Sequence, residues 1–337
     1  MPVTIRDVAQ KAGVGLGTVS RVLNNSLLVS SATRLRVSDV IAELNFVPSA
    51  NARRLSLGKT LTVAAIVPFF TRPVFIERLR GIEATLSESA YDLVIYNVET
   101  PQKRDDYIRN VPRRERTDGV LIISLPPRDS DVAGLAQTAV PVVLVDAYHP
   151  ALTGLDTVTT DDVAGGRAAT QHLLDLGHRR IGFVGDSLET NFNFTSSRDR
   201  FQGYQQALAG AGVPFRREYH AQGEHGRYEA RQGAATLLAL PERPTAIFAA
   251  SDTQALGVQQ AARDAGLSIP ADLSVIGYDD VEIAEYLGLT TMRQYLFESG
   301  KRGVELLLDR LADPTAAPVR EILSAELVVR QTTALVA

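Results

Sequence analysis

From Leu61 onward the chain alternates apolar runs of strand length with amphipathic helical stretches, and that rhythm restricts the fold more than any other feature. LTVAAIVP is a strand of the buried type, FIERLRGIEATLSES a helix, and DLVIYNVE a second strand. KRDDYIRNVPRRER is a helix with Pro112 near its end, DGVLIIS a strand, and a helix to Ala139 leads into the strand VPVVLVD. At TVTT the pattern restarts, with a helix over 163–176 closed by Gly177, the strand RRIGFVGD and helices over 200–211 and 228–240. The strand TAIFAAS, a helix over 253–265 closed by Gly266 and the strand LSVIGYD follow. Parallel neighbours need crossovers, so two runs of similar length predict two doubly wound parallel-sheet subdomains with helices on both faces. Ligands of such sheets bind beyond the carboxyl ends of the strands, and two facing sheets make a cleft that can close on a small molecule.

The first sixty residues have a different texture. TIRDVAQKAGVGLGTVSRVLN, residues 4–24, reads as two short helices joined by a glycine turn. Thr4 can cap the first helix, Asp7 places a carboxylate near its positive end, and Gly13 can take the left-handed conformation that stops it. Val19, Val22 and Leu23 turn inward on the second helix, which leaves Gly17, Thr18, Ser20, Arg21 and Asn24 on a narrow polar face suited to a major groove. On spacing alone any helical hairpin satisfies these residues equally well. Gly13, Gly15 and Gly17 do not make a dinucleotide loop, because no strand precedes them. Ser30 or Ser31 can cap a third helix over roughly 32–44, with Leu35, Val37, Ile41 and Leu44 as its apolar contacts. Residues 49–58, after Pro48, are compatible with a helix too short to be stable alone in water.

Several segments carry a resemblance. DVAQKAGVGLGTVSRVLN, then VSSATRLRVSDVIAELNFVPSANARRL, and far downstream GYDD, stand in the order found in the lactose/galactose-repressor (LacI/GalR) family of bacterial transcription regulators. The chain resembles that family from Thr4 to about Thr333. The resemblance implies a small all-α helix-turn-helix headpiece over 1–47 and a hinge helix or linker over 48–59. It further implies a periplasmic-binding-protein-like α/β core, with 60–160 and 290–318 in one subdomain and 161–289 and 319–337 in the other. Crossings near Thr290 and Val319 would make the hinge. Implied DNA contacts are Thr4, Arg6, Leu16, Gly17, Thr18, Ser20, Arg21, Asn24, Ala52, Arg53 and Leu55. Of these, Leu55 would wedge between central base pairs, Ala52 would sit where two hinge helices pack, and Arg53 with Arg54 would lie near phosphates. The family usually has Ser at Gly15, and Gly17 has no side chain to read a base edge, so no operator is carried over.

Charge is unevenly placed. Residues 1–59 hold eight Lys/Arg against three Asp/Glu, a balance of +5, so the remainder carries −9 of the overall −4. A basic module on an acidic body is the layout of a protein that delivers one end to a polyanion. With no cysteine, disulfides and thiolate metal sites are excluded, and a cytoplasmic compartment is expected. The five histidines form no HxxxH pair, so no metal site is expected; no cofactor is expected either. No apolar run reaches membrane length, and MPVTIRDVAQ lacks the core of a secretory signal.

Effector contacts are sought just after the strands. Phe69, Phe70 and Phe75 in PFFTRPVF offer an apolar wall for a sugar ring, and the resemblance favours Phe75. Arg72 stands where the family often has Asn, which suggests either an anionic group on the ligand or an unusual need for donors. SSRDRFQGY matches a family pattern whose arginine contacts effector, here Arg200, whose planar guanidinium can hold two adjacent hydroxyls or a carboxylate. GYDD places Asp279 and AASDT places Ser251 at strand ends, His225 falls where the family commonly has an aromatic residue, and Gln294 matches a polar contact on a crossover. Asp161-Asp162 replaces the usual Asp-Asn, and the link from GYDD to LTTMRQ is about two residues short.

The expectation is an operator-binding regulator, most simply a repressor, acting on a pseudo-palindromic duplex under control of a small-molecule effector, a saccharide. Val336-Ala337 carries no leucine heptad, so a homodimer is expected rather than a tetramer. A solute-binding protein is the alternative that the body alone would fit. Asp279 and Asp280 as a catalytic carboxylate pair is disfavoured, because adjacent residues at a strand end point opposite ways. No P-loop, nucleophile elbow or metal constellation supports an enzyme such as a sugar kinase.

Overall fold

The computed structural model describes residues 3–23, 26–46, 58–187, 192 and 194–336. The chain forms two compact units, 1–60 and 61–337. The first is a helical triad of α1 (Ile5–Ala12), α2 (Leu16–Leu23) and α3 (Ser31–Glu43). Its core is Val8, Ala9, Ala12, Val19, Val22, Val37 and Val40. The Asp7 carboxylate accepts from the Thr4 amide and hydroxyl, both at 2.8 Å, and Gly13 ends α1 at φ 67°. Ser30 caps α3 by accepting from Thr33 N at 3.3 Å. Leu35 departs from expectation and is 65% exposed. It stands two residues, about 200° of helical turn, from Val37, so it points away from the stripe that Val37, Val40, Ile41 and Leu44 share.

The second unit has two lobes. In the first, β1 (Thr62–Pro68), β2 (Asp92–Val98), β3 (Gly119–Ile123), β4 (Val142–Val145), β5 (Asp156–Thr160) and β11 (Arg320–Leu323) form one parallel sheet in the order β11-β5-β4-β3-β1-β2. Helices α4 (Pro73–Leu86), α5 (Pro101–Asn110), α6 (Asp129–Gln137) and α12 (Leu296–Ala312) accompany it. Apolar clusters around Ile82, Leu121 and Val304, and around Ile66, Ile122 and Leu144, fill its two faces. The second lobe is a four-stranded parallel sheet, β7-β6-β8-β9, of β6 (Ile181–Asp186), β7 (His220–Gly223), β8 (Ala246–Ala249) and β9 (Ser274–Ile276). Its helices are α7 (Asp162–Asp175), α8 (Ser196–Gly210), α9 (Arg227–Leu238), α10 (Asp252–Asp264) and the short α11 (Glu282–Tyr286).

Three connections join the lobes. The chain leaves the first sheet after Thr160, comes back after β10 (Thr291–Arg293), and leaves again before β12 (Glu326–Val328), which pairs antiparallel with β10. The expected return near Val319 is thereby corrected: Arg320–Leu323 pairs residue for residue with Thr157–Thr160 and adds an edge strand to the first sheet. That segment alternates exposed and half-buried residues, as an edge strand does, and sequence offers no sign of which sheet it joins. No helix among the described residues is long and apolar enough to cross a membrane.

Candidate ligand cleft and DNA-binding face

In the helical unit, the side of α2 opposite Val19 and Val22 is open. Leu16 is 46% exposed, Arg21 is exposed, Thr18 and Ser20 are half-buried, and nothing lies within 4 Å of where a Gly17 side chain would begin. Arg6 is exposed on α1, and Thr4 is engaged with Asp7. Thr18 N and Val19 N both bond the Gly15 carbonyl, so backbone alone closes the first turn of α2. Asn24, Ala52, Arg53 and Leu55, and with them residues 48–57 of the hinge segment, lie outside the described residues.

The carboxyl ends of the strands meet in a cleft between the lobes, the place where open parallel sheets bind their ligands. Arg72, Phe75, Arg200, His225, Ser251, Asp279 and Gln294, all singled out from sequence, line it. Phe69 and Phe70 do not, which corrects the expected aromatic wall. After Pro68 the backbone turns through a left-handed Phe69, φ 42°, and Arg72 N bonds the Phe69 carbonyl at 2.8 Å. That turn directs Phe69 onto Phe192, centroids 5.3 Å apart, and leaves Phe70 partly exposed, so only Phe75 from the first turns of α4 reaches the cavity.

A buried chain of polar groups runs across the floor. Arg78 donates to Ser299 (Nε, 3.2 Å), Ser124 (Nη1, 3.1 Å) and Gln294 (Nη2, 3.1 Å), and its Nη2 stands 3.0 Å from Asp146. Gln294 passes the connection on, donating from Nε2 to Asp279 Oδ1 at 2.5 Å. Arg200 donates from Nε to Asp162 at 2.8 Å and from Nη1 to the Ala250 carbonyl at 2.6 Å and Asp279 at 3.3 Å, with its guanidinium 3.7 Å from the Tyr278 ring. Gln294 sits on the crossover, so the relay ties both lobes to the hinge. Beside it, Asp186 accepts from Gln254 at 2.8 Å and meets His225 Nδ1 at 3.0 Å, while Ser251 caps α10 and donates to Gln254.

Burial sets the electrostatics. Asp162 is pushed up to about 6 by desolvation, against the pull of Arg200. Asp279 is raised by burial and restrained by Arg200, His225 and Arg78. Desolvation works to lower the Arg200 value, but Asp162 and Asp279 outweigh it and hold the guanidinium above its ordinary range. Asp280 points elsewhere, held by Arg293 at 2.7 Å and Arg330 at 2.7 Å, so the two adjacent carboxylates share no substrate face.

Sequence reasoning passed over Arg78, Ser124, Asp146 and Asp186. Arg78 left a signal: it falls three residues after Phe75 and four before Ile82, on the apolar stripe of α4. A charge in phase with the buried face needs partners.

A helix-turn-helix unit followed by a two-lobed body with a polar cleft defines a ligand-responsive DNA-binding regulator. Residues 4–49 match the bacterial regulatory proteins of the lacI family, and residues 170–333 a periplasmic binding protein-like domain. The ribose operon repressor of Escherichia coli (strain K12) is 35% identical over 93% of this chain and 94% of its own length. Among solved structures, a complex of the transcriptional regulator CelR with cellobiose is 32% identical, with a TM-score of 0.73 over 98% of this chain and 99% of that one. The lac repressor dimer bound to operator and the anti-inducer ONPF is 28% identical, with a TM-score of 0.86 over 99% of this chain and 100% of that one. The chain belongs to the LacI family of bacterial transcription regulators.

Proposed function

We propose that the protein is a dimeric, cytoplasmic repressor that grips a pseudo-palindromic operator and is switched by a saccharide bound between its lobes. The observation that carries this reading is the convergence of Arg200, Asp279 and Gln294, buried polar groups from the second lobe and the crossover, on one cavity walled on the other side by Phe75. Donors and acceptors in fixed planes beside an aromatic ring are what a sugar with adjacent hydroxyls requires. In the helical unit, α2 with Leu16, Gly17, Thr18, Ser20, Arg21 and Asn24 enters the major groove. Thr4 and Arg6 meet the backbone. Ala52, Arg53 and Leu55 order as a hinge helix on the minor groove, with Leu55 as the wedge. The segments 60–160 with the return through α12 and β11, and 161–289 with the C-terminal tail, act as the two moving lobes.

Selection of sites from random DNA by the purified protein, at stated salt, tests the assignment. A palindrome with half-sites one helical turn apart is the expected outcome, and enrichment of nothing above the starting pool would refute it. Leu55→Ala should weaken binding to the selected site by about 1 kcal/mol or more and leave random DNA unaffected. Equal losses on both would remove the wedge.

A further inference from the structure

Among the described residues three arginines line the cleft, and two are already neutralised. Arg78 lies against Asp146, and Arg200 lies between Asp162 and Asp279. Arg72 differs. Its guanidinium lies 4.0 Å from the centroid of the Phe69 ring, and the side chain is half-buried. Among the described residues none of its side-chain N–H donors meets an acceptor. The opposing charge that it feels through space is Asp186 of the other lobe, whose Oδ1 already serves Gln254 and His225. A cation stripped of part of its water and given no acceptor costs free energy, which an anion in the cavity would recover.

On the reading of this cleft as the effector site, we propose that the effector is a sugar acid, one carboxylate on a polyhydroxylated body, and that Arg72 selects it. The guanidinium rests over the Phe69 ring, which leaves its N–H donors uncommitted, and a planar two-pronged donor matches a carboxylate. Arg72 is also the N-cap of α4, whose positive end adds to the attraction. A single negative charge is the limit. Asp146, Asp186 and Asp279 face the same cavity, so a phosphate ester, with a charge near −2, meets more repulsion than one free guanidinium offsets. Hydroxyls of the body fall to Asp279, Gln294 and the remaining Nη2 of Arg200.

Calorimetric titration of the full chain tests this, using aldohexoses, their hexuronic and aldonic acids, and hexose 6-phosphates as matched sets. Wild type should bind one acid about tenfold or more tighter than the neutral sugar of the same stereochemistry and than its phosphate. Arg72→Asn should collapse that margin, and Arg72→Lys, which keeps the charge without the planar edge, should retain part of it. A neutral sugar or a phosphate binding as tightly as any acid would overturn the proposal. So would an Arg72→Asn variant that still prefers the acid, or the failure of every acid to bind. Failure of the underlying cleft reading has its own signature, an acid whose binding is untouched by both Arg72→Asn and Asp279→Asn.

Discussion

Asp162 occupies a position where the family resemblance leads one to expect Asn, and the structure shows what the extra charge does. It is buried against Arg200, and its folded-state value of about 6 exceeds the ordinary 3.8. The folded chain therefore keeps that proton over a pH range in which the unfolded chain has released it. The contribution to stability is full below about pH 4 and is lost as pH rises through about 6. Asp162→Asn stays neutral throughout, so between pH 4 and 7 it should gain on wild type by on the order of 3 kcal/mol, read from urea unfolding at each pH. A difference that does not vary with pH would contradict this. Removing Arg200 acts in the opposite sense. Arg200→Ala strands Asp162 and Asp279 without their cation, and should cost about 3–5 kcal/mol of stability in addition to the effector response. An undiminished unfolding midpoint would show that the triad is not coupled as described. The residues at strand ends were legible from sequence because such ends face the cleft by topology. Their mutual pairing was not, since the partner of Arg200 comes from a helix 38 residues earlier.

Elements were legible wherever hydrophobic periodicity ran long. The strands β1, β3 and β4 and the helices α7 and α10 fall within a few residues of their expected bounds. Short, half-exposed pieces escaped. The strand β7 is four residues, HAQG, and α11 is five, and neither carries enough of a repeat to stand out. Glycine packing was also silent. In the first lobe α4 and α12 touch through Gly81, where an added methyl would overlap the Phe297 carbonyl, and Gly300, where it would overlap that of Arg78. The second lobe repeats the device, with Gly166 of α7 against the Arg200 carbonyl and Gly203 of α8 against that of Val163. Close backbone approach here fixes where Arg78 and Arg200 stand along the cleft. Gly81→Ala or Gly300→Ala should therefore cost about 1–3 kcal/mol in thermal unfolding. Gly134→Ala, in α6 with nothing within 4 Å, should be neutral or stabilising by up to about 1 kcal/mol. Equal effects at the two kinds of site would show that the approach is not tight.

For the molecule as a whole, the charge division between a basic first segment and an acidic body, +5 against −9, was visible from sequence. It fits a protein that brings one end to DNA and holds the other away. Two copies, by this account, span the two halves of a palindrome, and light scattering should report a dimer; a stable tetramer would contradict it. The relay from Asp146 through Arg78, Gln294, Asp279 and Arg200 to Asp162 passes through the crossover, so a ligand that reorganises it shifts one lobe relative to the other. Linkage then demands reciprocity: whatever factor the ligand imposes on operator affinity, the operator must impose on ligand affinity. The direct test is to measure operator binding with and without the ligand that the calorimetric sets identify, and ligand binding with and without operator, at one salt concentration. Two equal factors of about tenfold or more are expected, both abolished by Asp279→Asn. Operator binding that no cleft ligand alters would contradict it.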